Sequence, residues 1–157
     1  MGREMVSTSS QLLLSNMEKP LIDYLDSIIG IPYRLNGRGG GDEGLDCIGT
    51  VLKFYREYLK IHIFDDTEVV PKNWWDNPKY ADYMERMIKK HCFSIKEPEL
   101  FCLILVAPPD HFLANHLGIY LGENKFLNTS ETTGIIISNL GILTRENKVR
   151  GYLKVNE

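Results

Sequence analysis

Apolar positions along the chain change rhythm near its middle. In EKPLIDYLDSIIG, Leu21, Tyr24, Leu25 and Ile28 recur at helical spacing, with Pro20 near the start and Gly30 as a stop. That pattern predicts a first helix over roughly residues 18–29. A second apolar stripe runs through Ile48, Val51, Leu52, Tyr55 and Leu59, with Asp46 immediately before it. Aspartate is a good N-cap, so Cys47 falls in the first turn of a second helix. Between them IPYRLNGRGGGDEG holds Pro32 and five glycines and reads as loop.

Residues 62–98 are the least regular. TEVVPKNWWDNP reads as loop, broken by Pro71 and Pro78, and KYADYMERMIKKHC as a short helix. Beyond Pro98 the period changes. LFCLILVA is a continuous apolar run suited to a buried strand, and HLGIYLG and KFLNTS read as two strands about Gly122-Glu123-Asn124. GIIISNLG and VRGYLKV read as two more. Helices first and strands later predict an α+β fold, with an antiparallel sheet packed against the cysteine helix. The 157 residues show no repeat or linker and suit one domain, residues 1–157.

A net charge of −3 does not suggest a nucleic-acid partner. No apolar stretch approaches the ~20 residues a membrane-spanning helix needs. The three-leucine run in MGREMVSTSSQLLLSN is too short for a signal-peptide core, and Val6 breaks the myristoylation pattern after Gly2. The expected setting is cytoplasmic as synthesised, or virion-associated.

Two readings compete for the glycine loop. Gly39, Gly41 and Gly44 match G-x-G-x-x-G, but no strand precedes them, and Asp42 and Glu43 would face a pyrophosphate with the wrong charge. The other reading makes the loop a wall of a cleft around Cys47. A helix N-terminus favours a thiolate, and a histidine against the sulfur can take its proton and form an ion pair. A third polar group must then hold the imidazole in the right tautomer. His116 opens a strand and Asn128 lies 12 residues later, so a hairpin would make them near neighbours on adjacent strands. Cys92 and Cys102 read as small buried hydrophobes, and His62, His91 and His111 as surface or loop histidines. Cys47, His91, Cys92 and His116 have no metal-ligand spacing, so neither metal nor cofactor is expected.

These motifs carry a resemblance. GIPYRLNGRGGGDEGLDCIGTV and HLGIYLGENKFLN resemble the nucleophile and histidine segments of the NlpC family of papain-like cell-wall cysteine peptidases, and IISNLGILTRENKVRGYLKV its closing strands. The likeness spans roughly residues 18–155. It implies a papain-like fold, with Cys47 as nucleophile, His116 as general base and Asn128 as orienting residue. It also implies that Tyr33 lines the active site and that Asp46 anchors the loop and a substrate amine. The implied partners are bacterial cell-wall peptides, cleaved after D-glutamate without a metal. Pro71 to Trp74, followed by a helix, is similar to the phage-tail and prophage branch, which would add phage tail proteins as partners. The sequence departs from the family at Ile48, at Asn36-Gly37 and in PELFCLILV, which lacks a Gly-Asp start. Two alternatives stand beside this: a structural tail-assembly protein with an unused site, and an acyl or amide transferase built on the same triad.

Overall fold

The structure is a computed structural model that describes residues 18–39, 44–66 and 68–156. The readings made on residues 1–17 and on Gly41, Asp42 and Glu43 lie outside the described residues.

Helix α1 (Lys19–Ile28) carries proline in its first turn and buries Leu21, Leu25 and Ile28. Gly30, at φ +94°, ends it, and its amide bonds to Ile135. Helix α2 (Cys47–Phe54) buries nearly every residue and runs on into a π-helical turn (Tyr55–Leu59) that stops at left-handed Lys60. Helix α3 (Tyr83–Lys89) buries Tyr83, Met84, Met87 and Ile88.

Six strands follow: β1 (Cys92–Ile95), β2 (Leu103–Val106), β3 (His116–Gly122), β4 (Lys125–Ser130), β5 (Gly134–Asn139) and β6 (Val149–Val155). They form one sheet in the order β1-β6-β2-β3-β4-β5, every neighbouring pair antiparallel. Strand alternation sends Leu117, Ile119, Leu127, Ile135 and Ile137 to the face packed against the helices. Phe126, Ile104 and Val106 pack on the other face, with Leu140 and Leu143 of helix α4 (Leu140–Arg145). The predicted α+β class, with its sheet against the cysteine helix, is the architecture observed.

Two elements differ from the sequence reading. The helix predicted through KYADYMERMIKKHC is shorter, and Cys92 belongs to β1, paired with Val155 of the last strand. That pairing is remote in sequence and leaves no local signal. GIIISNLG is not all strand: the Asn139 side chain accepts from the Ile142 amide at 3.1 Å and caps α4.

The loop before α2 is pressed onto that helix. Gly49 lies in the first turns of α2, and a Cβ there would collide with the Gly37 carbonyl oxygen. In a free helix Gly→Ala gains up to about 1 kcal/mol. Here the backbone contact reverses the sign, and Gly49→Ala is expected to destabilise by about 1–3 kcal/mol. Urea unfolding reads this directly, and an unchanged or raised midpoint contradicts the close approach.

Candidate active site

The site is built around the head of α2. Asp46 is its N-cap, accepting from the Gly49 amide at 2.8 Å through Oδ1. The same oxygen accepts from Arg38 Nη1 at 2.7 Å, and Oδ2 accepts from the Asn36 amide at 3.0 Å. One carboxylate therefore caps the helix and fastens the preceding loop to it. Arg38 also pairs with Asp65 at 3.3 Å. Asn36 is left-handed at φ +63°, a conformation glycine takes freely and asparagine tolerates. Its side-chain amide pairs with the Val70 backbone in both directions, at 2.9 and 3.0 Å. These contacts tie Asn36 and Arg38 of the loop to the head of α2.

Cys47 is 7% exposed at the first position of α2. The Leu117 amide donates to its sulfur, which sets the thiol against the peptide that joins His116 to Leu117. Tyr33 lies on the segment held between β5 and Leu45, by Ile135 N to Ile31 O at 2.9 Å and Leu45 N to Pro32 O at 3.0 Å. Burial and the nearness of Cys47, Asp46 and Glu131 raise its phenol well above the ordinary range. Tyr33 therefore shares the neighbourhood of the sulfur.

His116 Nε2 lies 3.1 Å from Asn128 Oδ1. The carbonyl oxygen can only accept, so Nε2 carries the hydrogen and Nδ1 keeps its lone pair. Nδ1 is the ring nitrogen nearer the backbone, and the sulfur stands beside that backbone. The register differs from a direct cross-strand pair. Ile119 opposes Leu127, which places Asn128 opposite Gly118 and diagonal to His116. A Cβ at position 118 would strike the Phe126 ring and the Leu127 carbonyl. The Phe126 ring in turn meets the His116 ring edge-on, with centroids 6.2 Å apart.

Burial governs the resting charges. It pushes the Cys47 thiol up to about 12, with Asp46 adding to the rise and Arg38 and the Leu117 and Ile48 amides opposing it. Burial holds His116 below its usual value, against the Asn128 bond that favours the charged ring. Both shifts favour the neutral thiol and the neutral imidazole.

Tyr33, Asp46 and Cys47 thus lie together at the head of α2, His116 and Asn128 are bonded to each other across β3 and β4, and the Leu117 amide links the sulfur to the start of β3. The structure adds Arg38, which ties Asp46 to Asp65, and Ser138, whose Oγ accepts from Asn128 Nδ2 at 2.9 Å. Arg38 had one available signal, a lone cation inside a glycine loop beside an N-cap aspartate. Ser138 had none, because its place depends on sheet register. Among the described residues no group of His, Cys, Asp or Glu could hold a metal ion.

Residues 30–150 match the profile of the NlpC/P60 family. The chain belongs to the NlpC/P60 family. Over 125 residues it is 28% identical to the murein DD-endopeptidase MepS/murein LD-carboxypeptidase of Escherichia coli K12, covering 80% of this chain and 56% of that enzyme. It thus spans little more than half the length of that relative. The fold is similar to the NlpC/p60 domain of the peptidoglycan hydrolase SagA, at 17% identity and TM-score 0.50, covering 87% of this chain and 96% of that one. It is also similar to an NlpC/P60 family protein from Bacillus cereus ATCC 10987, at 16% identity and TM-score 0.58, covering 86% and 39%. Among the described residues no helix is long and apolar enough to cross a membrane.

Two outcomes are expected. Asp46→Ala removes the cap and leaves Arg38 half-paired, at a cost of about 2–4 kcal/mol in urea unfolding. A loss below about 0.5 kcal/mol, the scatter of surface changes, contradicts the anchoring role. Iodoacetamide labelling of Cys47, followed by peptide mapping, is expected to be slow near pH 6 and to climb through about pH 9 without an acid-side plateau. A fast plateau between about pH 5 and 7 means the pair is already ionised.

Proposed function

We propose that this chain is a cysteine peptidase that hydrolyses amide bonds in the stem peptides of peptidoglycan. The observation that carries the reading is the His116–Asn128 bond at 3.1 Å, which leaves Nδ1 bare, with the Cys47 sulfur accepting from the amide of the next residue, Leu117. Membership of a family that includes peptidoglycan hydrolases supports the substrate class.

The reaction follows from the arrangement. Cys47 Sγ attacks the amide carbonyl while His116 Nδ1 takes the thiol proton. The oxyanion meets the backbone amides at the head of α2, where the helix dipole is positive, with Tyr33 beside them. His116 returns the proton to the leaving amine as the C–N bond breaks, and a thioester remains on Cys47. Water then attacks the thioester, giving its proton to Nδ1, and the sulfur leaves and regains a proton. Asn128 keeps Nε2 hydrogen-bonded throughout, so the ring does not turn over when it becomes charged. Asp46 holds the loop that forms one wall of the cleft, and its Oδ2 is the oxygen we assign to a substrate amine.

We assign the scissile bond as the one following D-glutamate, as the sequence resemblance implies. The segment that suggested a phage-tail setting has a packing role: Trp74 is 4% exposed, with its ring edge-on to Tyr83 at 5.3 Å.

Incubation with purified disaccharide-peptides and cross-linked dimers, followed by mass spectrometry, tests this. Cleavage is expected to add one water per bond and free a new amine after D-glutamate. Cleavage at the cross-link or at the terminal D-residue instead would keep the peptidase and correct the bond. Cys47→Ala and His116→Ala are expected to lose about 10³-fold or more in kcat/KM, and Asn128→Ala less. No cleavage by the wild type, or equal cleavage by Cys47→Ala, contradicts the proposal and favours a structural role.

A further inference from the structure

The amide of Asn128 has two chemically different ends, and only one serves His116. With Oδ1 toward the ring, Nε2 carries the hydrogen and Nδ1 is free. With the amide reversed, an N–H would face Nε2, and the ring would have to carry its hydrogen on Nδ1. That is the nitrogen needed to receive the sulfur's proton. The orientation of one amide thus decides whether the base is in its working tautomer.

Three acceptors surround Asn128 Nδ2. Ser138 Oγ is nearest at 2.9 Å, and the carbonyls of Phe126 and Ile136 lie at 3.1 and 3.4 Å. Two hydrogens are shared among three acceptors. The Ser138 contact takes one at good length, and the Phe126 carbonyl the other. Without the hydroxyl, one hydrogen depends on the contact at the long end of hydrogen-bonding range. Asn128 is 8% exposed, so solvent is a poor substitute. Ser138 opposes Phe126 on β5, while Asn128 opposes Ile136. Ser138 is therefore diagonal to Asn128 on the same face, as Asn128 is diagonal to His116 across β3 and β4. The three side chains step across three strands.

We propose that Ser138 is a positioning residue: its hydroxyl holds the Asn128 amide with Oδ1 toward His116, and so sets the tautomer of the base. It touches no reacting atom. The proposal rests on the reading of His116 as the general base. Burial and the Asn128 bond are what act on the charge of that ring; the Leu117 amide next to it holds the Cys47 sulfur, on which Asp46 and Arg38 act and which itself acts on Tyr33.

Ser138→Ala and Ser138→Thr, compared with wild type, test it. The alanine variant is expected to lose about tenfold in kcat, the effect of about one hydrogen bond, with little change in KM. The Asn128 bond favours the charged ring. Weakening it lowers the pKa of His116, and the acid limb of kcat/KM moves to lower pH. Nitrogen-15 spectra of the His116 ring are expected to show a smaller Nε2–H population. The threonine variant keeps the hydroxyl and is expected to restore limb and spectrum. A Ser138→Ala protein with wild-type kcat, acid limb and ring spectrum overturns the proposal. The ring spectrum needs no substrate. If the wild type cleaves no wall peptide, a Ser138-dependent Nε2–H tautomer still upholds the positioning role, while the hydrolase reading fails.

Discussion

The carboxylate of Asp46 is the tie on which the site depends. It receives hydrogen bonds from the α2 helix, from the backbone at Asn36 and from the guanidinium of Arg38. One donor lies in the helix and two in the loop that precedes it. Removing the carboxylate would free the helix cap, the loop and a partly buried cation together. Such a bond set is worth more as a junction than as a salt bridge, since an exposed pair contributes about 1 kcal/mol at most. Gly37 and Gly49 let the loop come close enough for the tie to close. Among the described residues, Gly37, Gly44 and Gly49 lie against backbone carbonyls where a side chain would not fit, so they serve the packing of the loop and the cysteine helix.

Two effects compete for the charge on Cys47. The positive end of a helix stabilises an anion by about 0.3–1 kcal/mol, and up to about 2 in sheltered sites. Burial and the neighbouring Asp46 carboxylate oppose it, and the thiol rises from 9.0 to about 12. Burial therefore wins in the resting protein. In the proposed reaction the helix terminus acts instead on what forms later, the oxyanion of a tetrahedral intermediate at the positive end of α2. In that proposal a neutral resting thiol and an electrostatically prepared cleft are compatible, because the charge develops only as the proton leaves the sulfur.

Much of this was legible in the chain itself. The apolar stripe behind Cys47 and the Asp46 cap placed Cys47 at a helix head, since local periodicity and a cap are written in adjacent residues. The β3–β4 hairpin was legible from two apolar runs about a short turn, and it brought His116 and Asn128 together. Its register was not legible to one residue: Asn128 stands diagonal to His116, and Gly118 fills the position opposite. Long-range pairings were silent. Cys92 joins a strand only because Val155 meets it from the far end of the chain. Ser138 reaches Asn128 only because β5 is in one register on β4. The apolar run through Ile137 hid the start of α4, where a single asparagine cap overrode the strand pattern.

The account's central claim is that Cys47 forms a covalent bond to the acyl half of a wall peptide. Mixing the protein with disaccharide-peptides, quenching in acid within the first turnovers and measuring intact mass tests it most directly. The predicted result is an adduct of the acyl fragment, mapped to Cys47, released by hydroxylamine and absent in Cys47→Ala. Peptide hydrolysis with no adduct under any quench time, or an adduct on Cys92 or Cys102 instead, would contradict it.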